Sequence, residues 1–118
     1  MKLQSVLVLG ICSITGGTAM AADAASIERG RLQFNRWCVA CHAAGLWEGN
    51  LEPGTMSLQL KYKGNPPAAL EDRTDLTPAV VAYFIRRGIG GMPFFRKTEI
   101  SDAEMAYIGA YLARNTPK

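Results

Sequence analysis

Cys38-Val39-Ala40-Cys41-His42 is the stretch from which the rest of the chain is read. Two thiols three positions apart lie on one side of a short helical turn, and each can add to one vinyl group of a porphyrin. An imidazole placed directly after the second thiol is then held beneath the iron. The spacing is that of a covalent c-type haem attachment site, with Cys38 and Cys41 binding the haem and His42 as proximal ligand. A Cys-x-x-Cys pair also serves redox dithiols and zinc sites. A zinc site needs further thiols or imidazoles, and the chain has one histidine and one other cysteine, Cys12. A thioredoxin-like dithiol needs an α/β pattern around it, and none is present.

The chain has 118 residues, enough for one small domain. Its first residues have the make-up of a secretory signal: Lys2, an apolar run from Leu3 to Ile14, then small residues leading to Ala19-Met20-Ala21. The run is shorter than the ~20 residues that span a bilayer and is broken by Ser5, Ser13 and Thr15. Cys12 follows Ile11, where a lipoprotein signal places a small side chain, so it is read as part of the leader. The reading is therefore a signal peptide over 1–21, cleaved after Ala21 or Ala22, and a single domain over 22–118. Covalent haem attachment in bacteria occurs outside the cytoplasmic membrane, so leader and motif together predict a periplasmic protein.

At that size a hydrophobic core alone is marginal, and a crosslinked haem would act as a staple. The formal charge of +3 includes Lys2, and haem propionates would bring the mature surface near neutrality. Nothing in this balance points to nucleic acid or to a membrane surface.

Ile27, Gly30, Phe34 and Trp37 recur at three- and four-residue steps and predict a helix from about Ser26 to the attachment motif. Gly30 costs such a helix ~1 kcal/mol relative to alanine, which a close helix crossing would explain. Residues 43–75 are rich in Gly, Pro and Asn and are read as a long wrapping segment with short helical pieces, one of them at about 67–72. Thr77-Pro78 starts a helix, with Val80, Val81, Phe84 and Ile85 as its apolar face, Arg86-Arg87 in its last turn and Gly88 as its stop. Ser101-Asp102-Ala103-Glu104 is a capping box that opens a last helix. Met105, Ile108 and Leu112 form its inward stripe, flanked by Tyr107 and Tyr111. The predicted fold is all-α.

With one histidine in the chain, a bis-histidine haem is excluded by counting. Met105 lies on the core stripe of the last helix. Met56, in the wrapping segment, is possible as the distal ligand, and Met92 is preferred: Gly90-Gly91 precede it and Pro93 stiffens the turn that would present its sulfur. An iron held by imidazole and thioether has no free position for oxygen or peroxide. Its remaining task is the exchange of single electrons. A haem sensor or a peroxidase with a labile distal ligand is the contrasting reading, and the latter would lack a distal histidine.

The mature chain resembles class I c-type cytochromes. Gly30 and Phe34 stand eight and four positions before Cys38, Met92-Pro93 lies toward the C-terminus, and Tyr111-Leu112 sits in the final helix. The resemblance implies one covalent haem c and first and last helices that cross near Gly30. It also implies that Pro53 lends its carbonyl to the ring N–H of His42. Leu70-Glu71-Asp72-Arg73-Thr74-Asp75-Leu76, with Arg87-Gly88 and Met92-Pro93-Phe94-Phe95, is similar to the cytochrome subunit of flavocytochromes of the 4-cresol dehydrogenase type. That likeness implies an electron-accepting subunit, without substrate chemistry of its own, served by a flavoprotein dehydrogenase that oxidises para-alkylphenols. The electron would then pass to another cytochrome, a copper protein or an oxidase. The alternative within the same class is a freely diffusing carrier to a terminal oxidase. Arg86, Arg87, Arg96 and Lys97 flank the Met92 loop as candidate docking cations beside Phe94 and Phe95, and Arg73 is a candidate partner for a propionate.

Overall fold

The computed structural model describes residues 22–45 and 49–118. The leader reading over 1–21, Cys12 included, lies outside them. Among the described residues five helices follow in chain order: α1 Ala24–Trp37, α2 Val39–His42, α3 Pro53–Tyr62, α4 Pro78–Arg87 and α5 Asp102–Leu112, with a 3-10 turn at Leu70–Asp72. Among the described residues there is no strand; Ile89 and Met92 form an isolated antiparallel bridge. The fold is all-α, as the patterning requires.

α1 begins two residues before the expected Ser26. Asp23 is its N-cap, and the Asp23 carboxylate accepts the Ser26 amide at 2.7 Å. The cost of Gly30 inside this helix is explained by α5. A Cβ at Gly30 would collide with the Tyr107 carbonyl oxygen and lie 2.6 Å from Tyr111 Cβ, so the two backbones can cross here only over hydrogen. One turn further, Phe34 is fully buried and its ring centroid lies 5.7 Å from that of Tyr111. Ile108 and Leu112 of α5, Val81 and Ile85 of α4, and Leu76 and Ile100 from the connecting segments complete the core. Burial of each such side chain is worth ~1.5–3 kcal/mol. Tyr111, expected to flank the α5 stripe, is part of that core, whereas Met105 packs against it only half-buried.

The α4 cap forms as read: Thr77 Oγ1 accepts the Val80 amide at 3.2 Å, Pro78 occupies the first turn, and Gly88 ends the helix at φ +63°. The apolar face of α4 is divided, however. Val81 and Ile85 are buried, while Val80 and Tyr83 are exposed and Phe84 is half-buried beside them. A second glycine contact seats α4 on α5, because a Cβ at Gly109 would lie 3.1 Å from Pro78 Cα. The α5 capping box is complete: Ser101 Oγ accepts the Glu104 amide and Glu104 Oε2 accepts the Ser101 amide at 2.8 Å.

The wrapping segment departs most from its reading. It contains a full helix, α3, with Pro53 at its first position and Lys63 in the left-handed conformation at its C-cap. Met56-Ser57-Leu58-Gln59-Leu60-Lys61-Tyr62 alternates apolar and polar residues at period two, a strand-like pattern that a helix spreads around its whole circumference. Leu60 is accordingly 71% exposed. The helix expected at 67–72 is reduced to the 3-10 turn, with Ala69 extended before it. The C-terminal tail ties this region down. Asn115 Nδ2 donates to the Glu71 carbonyl at 2.9 Å, and Thr116 Oγ1 donates to the Leu76 carbonyl at 2.7 Å.

Candidate cofactor site

α2 is one turn long, and that turn carries the attachment motif. Cys38 caps it: its carbonyl accepts the amides of Cys41 at 3.1 Å and His42 at 2.9 Å. This places the two cysteines one turn apart, as free thiols rather than as a disulfide. Cys38 is half-buried and Cys41 exposed. Burial, with Cys41 beside it, pushes the Cys38 thiol up to about 12. A redox dithiol works by lowering a thiol's pKa, so this environment opposes that reading. Among the described residues no three His, Cys, Asp or Glu side chains converge as a metal-binding group.

Burial lowers the pKa of the His42 ring, which favours the neutral form in which imidazole binds a metal. Its Nδ1 is buried without a hydrogen-bond partner. The expected donation to the Pro53 carbonyl is not made. Pro53 opens α3, and its carbonyl instead accepts the Ser57 hydroxyl at 2.8 Å. The ring meets the next residue, Gly54. Thr55 follows, buried, with its hydroxyl donating to the Ala43 carbonyl at 2.9 Å. Gly54 and Thr55 lie in the stretch that the sequence marks only as part of the wrapping segment.

Met92 is half-buried on a tight turn. Ile89 and Met92 exchange backbone hydrogen bonds of 3.1 and 2.9 Å across Gly90 and Gly91. Gly90 takes φ +56°, yet a Cβ on Gly90 or Gly91 would meet nothing within 4 Å. The crowded glycine is Gly88, where a Cβ would stand 2.5 Å from the Met92 carbonyl oxygen. Met56 is also half-buried, on α3, the helix that packs on α2.

These residues fit a haem. Two thiols one turn apart and an imidazole stand together, and the elements that follow them in the chain leave large apolar side chains uncovered. Those are Leu60 on α3, Val80 and Tyr83 on α4, and Ile89 and Phe94 around the Met92 turn. A broad apolar plate is the kind of group that would cover such surface.

The expected docking cations are engaged within the chain. Arg86 donates to the carbonyls of Phe95 and Ile100 at 3.1 and 2.9 Å and pairs with Asp102, which also pairs with Lys97. Arg96 pairs with Glu99, and Arg87 lies over the Tyr83 ring. Arg86 thus ties α4 to the segment from Phe95 to Ile100 and to the start of α5. Phe95 packs against Trp37 at 5.9 Å between centroids, and only Phe94 is exposed. Arg73, proposed for a propionate, is buried, donates twice to Asp75 at 2.7 and 2.6 Å, and lies over the Tyr62 ring.

Among the described residues no helix is long and apolar enough to cross a membrane. Residues 25–112 match the family model described as Cytochrome C oxidase, cbb3-type, subunit III. No curated protein matches the chain.

Proposed function

This chain belongs to the cytochrome c family described as Cytochrome C oxidase, cbb3-type, subunit III, and on that premise we propose a periplasmic carrier of single electrons built on one covalent haem c. Membership makes it a class I c-type cytochrome, a haem-based electron-transfer protein rather than a catalytic enzyme. The observation that carries the finer reading is the α2 turn, where two thiols stand one turn apart before a half-buried imidazole. Cys38 and Cys41 would hold the haem and His42 its iron, with Met92 as the second axial ligand. Bound haem supplies an iron that changes by one electron at a time. The chain's own part is to fix the imidazole and to present a thioether from the turn that the Ile89–Met92 backbone bonds close.

The leader over 1–21 would export the domain over 22–118. The likeness of residues 70–76 and 87–95 to the 4-cresol dehydrogenase cytochromes supports a flavoprotein dehydrogenase of para-alkylphenols as donor, with this chain as its electron-accepting subunit. The family description names an oxidase subunit and so favours a second reading, a carrier that delivers electrons to a terminal oxidase.

Acidic acetone should leave the pigment of the purified protein attached. Met92→Ala should lose the far-red sulfur-to-iron charge-transfer band of methionine ligation, while Met56→Ala keeps it. Loss of the band in Met56→Ala alone would move the ligand to α3. Native protein that purifies with a flavoprotein supports the dehydrogenase reading, and one that purifies with an oxidase supports the second.

A further inference from the structure

The first turn of α3 meets the His42 ring with bare backbone. A Cβ on Gly54 would lie 2.6 Å from His42 Cε1, 2.8 Å from His42 Nδ1 and 2.6 Å from the Cys41 carbonyl oxygen. Real Cβ atoms essentially never come this close to other heavy atoms. Of the three contacts, the carbonyl is backbone of α2 and has no rotamer by which to withdraw. The ring can yield only by turning about its own side-chain bonds. One residue on, Thr55 is 2% exposed, and its hydroxyl donates at 2.9 Å to the carbonyl of Ala43, the residue that follows His42. Pro53, at the first position of α3, fixes the backbone angle from which this turn begins. A glycine and a threonine hydroxyl thus close on the two residues either side of the imidazole and on the imidazole itself.

We infer that Gly54 and Thr55 are positioning residues that set the plane of the His42 imidazole. Gly54 is a flat backstop that admits the ring because it has no side chain, and Thr55 is the clamp that holds the backstop against α2. The inference rests on the proposed role of His42 as an axial ligand. It adds a device separate from the hydrogen bond at Nδ1 by which ring orientation is usually held. The plane of the imidazole decides how its π electrons meet the iron orbitals, and so how unpaired spin is distributed over the porphyrin of the ferric protein.

The test uses haem-loaded protein in the ferric state and reads the haem methyl resonances by proton NMR, whose order and spread report the imidazole plane. Gly54→Ala should reorder the four methyl resonances and shift the reduction potential. Thr55→Val should move them in the same sense by less, and Thr55→Ser, which keeps the hydroxyl, should retain the wild-type pattern. Wild-type order and spread in both Gly54→Ala and Thr55→Val would overturn the inference. If Gly54→Ala yields no pigmented protein, the Thr55 pair decides, and identical spectra for Thr55→Val and Thr55→Ser overturn it. A His42→Lys variant that keeps the wild-type methyl pattern would instead overturn the ligand assignment beneath it, whatever the α3 variants show.

Discussion

Tyr111 shows how much one residue of this small core carries. Its ring is buried against Phe34, the Arg114 guanidinium lies 4.1 Å from the ring centroid, and its hydroxyl donates to the Glu71 carboxylate. Burial first, then the bond to Glu71 and that residue's charge, push the phenol up to about 12. An unfolded tyrosine titrates near ~10. The folded state therefore keeps its proton longer, and the stability this gives is complete below ~10 and lost as pH rises through about 12. Thermal midpoints of the wild type should fall across that window. Tyr111→Phe should start lower, by about 1.5–3 kcal/mol for a lost hydrogen bond to a charged group, and then change less with pH. Parallel curves for the two proteins would show that the Tyr111–Glu71 bond contributes nothing to the alkaline transition. Tyr111 was visible in the sequence as a flank of α5, but its partner is forty residues away and no local pattern pairs them.

At the scale of elements, the α1–α5 crossing is the most exacting contact. Gly30→Ala places a methyl group against the Tyr107 carbonyl and 2.6 Å from Tyr111 Cβ. The helices must separate, and overpacking of this kind costs about 1–3 kcal/mol or more. Chemical denaturation should show that loss despite the better helix propensity of alanine; a stabilised Gly30→Ala protein would mean that the crossing is looser than drawn. The helices flanking this contact were legible because their caps are local: Thr77-Pro78 and Ser101-Asp102-Ala103-Glu104 each satisfy orphan amides within one turn. α3 was not legible. Its side chains alternate at period two, and its helicity follows from Pro53 at one end and a left-handed Lys63 at the other.

Across the whole molecule, the helices divide into two groups. α1 and α4 each pack on α5 around the Phe34–Ile108 core, whereas α3 packs chiefly on the single turn of α2. The second group has little buried apolar surface of its own, so a bound haem is expected to supply much of what holds it. Amide hydrogen exchange should therefore be fast in α3 and slow in α1 and α5 in the Cys38→Ser/Cys41→Ser double variant, which cannot attach haem. In the haem-loaded protein α3 should gain protection. Equal protection of α3 in both proteins would mean that it folds on α2 unaided.

The all-α class, the caps, the motif turn and the need for a close crossing at Gly30 follow from the amino-acid order alone, because each is decided by groups within one or two helical turns of each other. The tertiary structure decided that Arg86 donates to the Ile100 carbonyl and that Gly54 faces the His42 ring. Those outcomes depend on which distant groups come within a few ångströms, and a one-dimensional pattern holds no record of that distance.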